Sequence, residues 1–132
     1  MLDCLVGSEM CIRDRNYLAY SWLERNYKIE LSMEMLKEAY DLRKNDPYIT
    51  DSLGWGYYLI NDFENAEKYL KKAVELMPYD PIVNDHYGDI LWMLNRKIQA
   101  RYFWNNVLNL DETDDEMKID VKKKIIYGIE KT

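Results

Sequence analysis

The chain has 132 residues, of which 48% are hydrophobic and 32% charged, a composition typical of one globular domain and not of a disordered segment. Eighteen basic and 24 acidic residues give a net charge of −6, which argues against nucleic acid and direct membrane contact because both need a cationic face. No apolar run approaches the roughly 20 residues of a membrane-spanning helix. Five glycines and three prolines leave few hairpin turns, so a β-sandwich or barrel is disfavoured.

The first fifteen residues fit nothing downstream and contain both cysteines, Cys4 and Cys11. Residues 5–15, LVGSEMCIRDR, match what one reading frame of a transposon-end sequencing adapter encodes. We therefore interpret residues 1–15 as a non-native segment, from a metagenomic read, ahead of the C-terminal part of a longer protein. The alternative is a disulfide or metal pair, and it is disfavoured because the chain has no further cysteine and only one histidine, His86.

A 34-residue repeat organises the remainder of the chain. Seven pairs of identical or similar residues recur at this offset: Asp46/Asp80, Pro47/Pro81, Gly54/Gly88, Ala66/Ala100, Leu70/Trp104, Ala73/Val107 and Leu76/Leu110. A weaker first copy fits when one extra residue is allowed in its turn, near Arg25 to Ile29. We predict three repeats over about 16–46, 47–80 and 81–112, followed by a helix within 113–132.

Each repeat is predicted to form two helices. Apolar residues at helical spacing, separated by Asn, Asp and Pro, predict helices at about 16–25, 32–44, 48–60, 62–77, 81–94 and 98–110. Asp62 is expected to cap the fourth of these helices. Gly54 and Gly88 are expected where the two helices of a pair cross, because a glycine inside a helix costs about 1 kcal/mol and its recurrence indicates a steric need.

The last segment is predicted to form a seventh helix with Thr113 as its N-cap. Its apolar stripe consists of residues four apart: Met117, Val121, Ile125 and Ile129. Its lysines are predicted to face water: Lys118, Lys122, Lys123 and Lys124. A solenoid needs such a helix to cover its final stacking face. The prediction is thus an all-α solenoid of helical hairpins with about seven helices, the last of them a C-terminal capping helix.

The second repeat resembles the tetratricopeptide repeat in its pattern of small and large residues: Leu53-Gly54, Tyr57-Tyr58, Ala66, Leu70, Ala73 and Leu76-Met77-Pro78. The third copy has Asp111-Glu112 where the family usually closes on proline, and the first departs by its inserted residue. The resemblance implies a right-handed solenoid. Residues 51–59 and 84–96 are similar to the closing repeats of long bacterial proteins, some of which resemble envelope lipoproteins that act as adaptors. This implies a bacterial envelope location on the periplasmic side, with the cytoplasm as the alternative.

The same resemblance implies that the first helices of successive pairs line a concave groove. The positions expected to face it are Asn16, Tyr20, Asp51, Trp55, Tyr58, Asp85, Asp89 and Trp92. Aromatic rings flanked by carboxylates suit a peptide with basic and apolar side chains. The carboxylate-binding variety of the family carries Lys, Asn and Arg at these positions, so a carboxylate ligand is disfavoured here. In the alternative interpretation, Trp55 and Trp92 pack against a neighbouring helix or further repeats.

Catalysis has no support in the sequence. Asp85, His86 and Asp89 share a helix face and could be drawn as a metal site, but with one histidine a solvated face is favoured. The acidic run at 111–116 lacks the glycine and spacing of a calcium loop, so helix capping explains it better. There is no Ser/His/Asp grouping, Gly-rich phosphate loop or HExxH motif, and we expect neither a metal nor a cofactor.

These observations predict a non-catalytic scaffold or adaptor that binds a peptide or protein partner in the concave groove. The alternative is an architectural module that stacks on further repeats or on a second copy of the chain. That alternative arises because the first helix is expected to expose Tyr17, Leu18 or Trp22 at the end of the array.

Overall fold

The computed structural model describes the backbone of residues 9–130 and the side chains of residues 12–130. This part of the chain forms seven helices: α1 (Glu9–Glu24), α2 (Ile29–Leu42), α3 (Pro47–Leu59), α4 (Phe63–Leu76), α5 (Pro81–Met93), α6 (Lys97–Asn109) and α7 (Asp115–Tyr127). Helices α1–α2, α3–α4 and α5–α6 form three hairpins that stack in chain order, and α7 packs on α6. The predicted all-α solenoid of helical hairpins is confirmed.

Helix α1 begins at Glu9 and not at about residue 16, so the predicted start is wrong. No proline or glycine interrupts residues 9–15, and the Ile12 side chain is buried against Ala39 and Ile49. Arg15 donates two hydrogen bonds to the Glu38 carboxylate, at 3.2 and 3.3 Å. The adapter interpretation of residues 1–15 stays a prediction, and both cysteine side chains lie outside the part that the structure describes.

Aspartates cap four of the helices, and each accepts hydrogen bonds from backbone N–H groups of the first turn. They are Asp46, Asp62, Asp80 and Asp114. The prediction for Asp62 is confirmed, whereas Thr113 does not cap α7. The Thr113 hydroxyl instead donates to the Val107 carbonyl at 2.6 Å, a carbonyl in the last turn of α6 that also accepts from the Leu110 N–H at 3.3 Å.

Left-handed asparagines form the turn inside each hairpin. Asn61 and Asn95 stand 34 residues apart with φ of 67° and 64°, and Asn26 has φ of 57°. The turn of the first hairpin contains one further left-handed residue, Lys28, with φ of 47°. Lys28 accounts for the extra residue that the alignment of the repeats with one another required near Arg25 to Ile29. Asparagine tolerates this conformation better than most residues do.

The array curves toward its odd-numbered helices. Helix α1 contacts α3, and α3 contacts α5, whereas within the described residues the even-numbered helices do not contact one another comparably. Close approach on one side and separation on the other place α1, α3 and α5 on the inner, concave side. We call the surface of these three helices the inner face.

Two glycines allow the helices of a hairpin to cross closely. A Cβ atom at Gly54 would lie 2.8 Å from Leu70 Cγ, and one at Gly88 would lie 2.5 Å from Trp104 Cδ1. Leu70 and Trp104 are equivalent residues, 34 apart, and both are completely buried. The recurrence of glycine therefore has the steric cause that the repeat pattern predicted.

Candidate functional site

All eight residues predicted to face the groove lie on the three helices of the inner face. They are Asn16 and Tyr20 on α1, Asp51, Trp55 and Tyr58 on α3, and Asp85, Asp89 and Trp92 on α5. Four are buried, namely Asn16, Asp51, Tyr58 and Asp89, and the other four are half-buried. The inner face is therefore a packed surface that solvent reaches in part, and its side chains contact one another across the helices.

Three parallel rings connect α3 to α5. The Trp55 ring stacks on Tyr58 with centroids 4.4 Å apart and on His86 with centroids 3.9 Å apart. His86 Nδ1 lies 3.0 Å from both carboxylate oxygens of Asp51. His86 is buried and does not belong to a solvated face, so that expectation is wrong. The reason is that α3 contacts α5, so Trp55 on α3 covers the His86 ring on α5.

His86 has a raised pKa. Burial acts to lower it, but the neighbouring Asp51 carboxylate, with Asp89 and Asp85 further away, more than offsets burial, and the pKa lies above the ordinary 6.5. The imidazolium form is thereby favoured, and it makes a buried ion pair with Asp51. This pair joins the inner helices of the second and third hairpins.

A lysine of the capping helix neutralises the two aspartates of α5. Lys124 Nζ donates to Asp85 Oδ1 at 2.9 Å and to Asp89 Oδ1 at 3.0 Å. Trp104 Nε1 donates to the same Asp89 oxygen at 3.1 Å. The prediction that Lys124 faces water is wrong, since α7 lies beside α5 and directs this lysine at its carboxylates. Lys122 and Lys123 are exposed as predicted.

Burial is the main cause of the raised pKa of Asp89. Burial and the neighbouring Asp85 carboxylate raise the pKa of Asp89 to about 6, although Lys124 and His86 act in the opposite direction. Burial lowers the pKa of Lys124, but both aspartates outweigh it and the pKa of Lys124 is raised. Proton binding at this cluster is thus coupled to the packing of α7 on α5.

Trp92 packs against the end of the chain. Its Nε1 donates to the Ile129 carbonyl at 3.2 Å, and Gly128, with φ of 75°, lies against the ring where a Cβ atom would collide. Lys97 Nζ and the Arg101 guanidinium lie 4.9 and 5.1 Å from the ring centroid. The indole therefore has the contacts that the packing interpretation of Trp92 describes.

Asn16 and Tyr20 extend the inner face to α1. Asn16 Nδ2 donates to Ser52 Oγ at 3.0 Å, and within the described residues Asn16 Oδ1 and Trp55 Nε1 are buried without a hydrogen-bond partner. Burial and a hydrogen bond to Glu24 raise the pKa of Tyr20, so its hydroxyl stays protonated. Tyr20, Trp55, Asp85 and Trp92 are the half-buried members of the predicted set.

The sequence pattern missed His86 and Lys124 as members of this site. Both pair with an aspartate 35 residues earlier, Asp51 and Asp89 respectively. In a 34-residue repeat, residues about 35 apart lie side by side on equivalent helices of consecutive units, and α7 stands 34 residues after α5. Adding 35 to each inner-face position would have found both partners.

Stability is expected to fall as the pH rises from 5.5 to 8.5. Both Asp89 and His86 have a folded-state pKa above the unfolded value, so each binds its proton more tightly in the folded protein. The contribution of Asp89 is lost as the pH passes about 6, and that of His86 is lost above 6.5. Asp51 and Asp85 also face this cluster, and Lys124 keeps its charge throughout.

Urea unfolding at half-unit pH steps measures this dependence. His86→Gln should flatten the slope above pH 6.5, and Asp89→Asn should flatten it below about pH 6.5. A wild-type stability that rises over this range would contradict the assignment of both proton-binding sites.

No protein-family model and no curated protein matches the sequence. Solved structures do match, and the fold is that of tetratricopeptide-repeat proteins. The Yersinia enterocolitica type III secretion translocator chaperone SycD, solved with a peptide of the translocator YopD, is 14% identical with a TM-score of 0.76, covering 92% of this chain and 95% of that chain. The first TPR of Spaghetti (RPAP3), bound to the HSP90 peptide SRMEEVD, is 16% identical with a TM-score of 0.71, covering 85% of this chain and 88% of that chain.

A third similar structure is MamA from Desulfovibrio magneticus RS-1, at 20% identity and a TM-score of 0.65, covering 76% of this chain and 56% of that chain. At these identities the comparisons establish the fold. Among the described residues, no three His, Cys, Asp or Glu side chains are arranged to hold a metal ion. None of the helices in the described range combines the length and apolarity needed to cross a membrane.

Proposed function

We propose that the chain is a non-catalytic scaffold whose inner face binds a peptide or protein segment with basic and apolar side chains. The observation that carries this proposal is Lys124, whose ammonium group is held by Asp85 and Asp89. The chain itself thus presents a cationic side chain from a helix to the inner-face carboxylates. A partner helix or strand with basic side chains would bind the carboxylates next to Lys124.

An open hollow beside Lys124 contains further carboxylates. It encloses about 410 Å³ between α5 and α7, and its lining includes four carboxylates together with Met117: Asp85, Asp114, Glu116 and Asp120. One lysine against four carboxylates leaves a net negative charge in this hollow, which adjoins the α5 end of the inner face. A basic side chain of a partner would be attracted there, and half-buried Trp55 and Tyr20 would provide apolar contact further along.

Binding is expected between the chain and a fluorescein-labelled peptide of alternating lysine and leucine, measured by fluorescence anisotropy. Replacing Glu116 and Asp120 together, as Glu116→Gln with Asp120→Asn, should weaken binding about fivefold, since an exposed ion pair contributes up to about 1 kcal/mol. Both residues are exposed and have no packing role.

The matched control removes two equally exposed carboxylates outside the hollow, Asp111→Asn with Glu112→Gln. It should leave the affinity unchanged within twofold, because these residues lie in the turn before α7. Equal losses in the two double variants would mean that net charge alone attracts the peptide, and the proposal for the inner face would be wrong.

The architectural alternative is favoured by one feature of the two ends of the array. Tyr17 on α1 is 73% exposed, and Ile126 and Tyr127 on α7 are 67% and 80% exposed. Leu18 and Trp22 are half-buried and pack against the core. Apolar side chains at both ends suit end-to-end stacking on further repeats or further copies. Light scattering distinguishes the two functions, because stacking raises the molar mass with concentration and peptide binding alone does not.

A further inference from the structure

The solenoid has two equivalent grooves between successive hairpins, and they differ in charge. The first, between α2 and α4 with α3 as its floor, encloses about 440 Å³, and the second, between α4 and α6, encloses about 400 Å³. Four lining residues of the first groove correspond to lining residues of the second at the 34-residue offset: Tyr40/Val74, Lys44/Pro78, Lys68/Tyr102 and Tyr69/Phe103. We call them the first and second inter-repeat grooves.

Lysines replace neutral residues in the first inter-repeat groove. Lys44 and Lys68 line it where Pro78 and Tyr102 line the second. At its margin Lys72 donates to the Tyr40 hydroxyl at 2.7 Å, and the equivalent residue of the second groove is Asn106. The second groove lies between hairpins of the same fold and lacks these lysines, so the packing of successive hairpins does not require them.

The aromatic floor of the first inter-repeat groove consists of three tyrosines, of which Tyr69 contacts the other two. Tyr69 stacks on Tyr57 with centroids 5.6 Å apart and meets Tyr40 edge-on at 5.1 Å. A lysine ammonium lies over each ring: Lys37 5.7 Å from Tyr57, Lys68 5.2 Å from Tyr69, and Lys72 4.9 Å from Tyr40. These contacts hold cationic groups around an apolar, ring-lined surface.

The positive charge of this groove is not cancelled by ion pairs. Within residues 12–130, no ion pair to a carboxylate forms at Lys37, Lys44 or Lys68, and all three are exposed. Asp41 is the single carboxylate among the lining residues, against three lysines. A concentrated positive surface on a chain of net charge −6 is unexpected from composition alone.

We propose that the first inter-repeat groove binds an acidic segment of a partner protein, in which carboxylates flank an apolar side chain. The cations lie on α2 (Lys37), in the turn after α2 (Lys44) and on α4 (Lys68), along a groove that is open to solvent, so they match carboxylates distributed along a peptide. Lysines are point charges and no arginine lines the groove, which favours separate carboxylates over one bidentate phosphate. The tyrosine floor and Leu53 would contact the apolar side chain.

This site is distinct from the inner face, and it does not rest on the function proposed for that face. The probe is a fluorescein-labelled hexapeptide of Asp and Glu around a central Leu, titrated with the full chain at low salt. We expect saturable binding that Lys44→Glu with Lys68→Glu weakens at least about tenfold. The control variant, Lys122→Glu with Lys123→Glu, makes the same change of net charge on α7 and should bind within twofold of wild type. Circular dichroism melts verify that both variants fold.

Three results would overturn the proposal. Equal weakening in both double variants would mean that the peptide responds only to net charge. Displacement of the peptide by inorganic phosphate at low millimolar concentration, beyond the effect of sodium chloride at equal ionic strength, would make the groove a phosphate site. Self-association that disappears in the Lys44→Glu, Lys68→Glu variant would assign the groove to a second copy of the chain.

Discussion

Gly88→Ala is expected to lower the free energy of unfolding by about 3 kcal/mol, although alanine is the better helix former by about 1 kcal/mol. The added methyl group would lie 2.5 Å from Trp104 Cδ1 and Nε1. The Trp104 ring is completely buried, contacts Trp92 at 5.5 Å, and donates a hydrogen bond to Asp89. It cannot move aside without breaking these contacts, so the helices must separate.

Urea unfolding of a double-mutant cycle tests this steric explanation. Trp104→Phe removes part of the obstructing ring, so it should cost less in the Gly88→Ala background than in the wild type. Asn105→Ala, at an exposed position on α6, reports the effect of alanine without a collision and should change stability by no more than about 0.5 kcal/mol. A Gly88→Ala protein as stable as the wild type would refute the close helix crossing.

Lys124→Met is expected to lower the free energy of unfolding by about 3 kcal/mol at pH 8, because it leaves two carboxylates without their cation. The Asp89 side chain is only 6% exposed, so water cannot replace the lost ammonium group. The loss should be smaller at pH 5, where Asp89, with its pKa raised to about 6, is protonated and carries no charge. Chemical unfolding at the two pH values measures the difference.

Two further variants make this test specific. Lys123→Met changes the neighbouring exposed lysine and should shift stability by less than about 0.5 kcal/mol. Asp89→Asn combined with Lys124→Met should recover part of the stability at pH 8, since it removes the carboxylate that the lysine compensated. A loss of equal size at both pH values, without this recovery, would indicate that Lys124 acts only through packing.

The hairpin architecture could be predicted because its determinants recur along the chain. Gly54 and Gly88 mark the helix crossings, and Asp62 marks the start of a helix. Each of these signals depends on a residue's own properties or on neighbours within a few turns, and three copies of the pattern reinforce one another. The predicted start of α1 was too late because residues 1–15 were set aside as a non-native segment, whereas Ile12 packs on α2 and α3.

The candidate site was predicted as a set of positions and not as a set of interactions. The eight predicted positions lie on the three inner helices, but the electrostatic partners of Asp51 and Asp89 were not identified. His86 and Lys124 each looked like a solvated residue on an amphipathic helix, because helical periodicity describes one helix at a time. Their partners lie 35 residues away on the preceding inner helix, where only stacking of the hairpins brings them within hydrogen-bond distance.

The order and number of the helical hairpins thus follow from repeated local patterns in the amino-acid sequence, whose energetics depend on residues close together in the chain. The ion pairs of the inner face and the lysine-lined groove depend on how successive hairpins stack. In that groove Tyr40 of α2 meets Tyr69 of α4, a contact between separate repeats. Burial, which sets the pKa of Asp89, likewise exists only once the helices have packed, so the tertiary structure decided the chemistry of these surfaces.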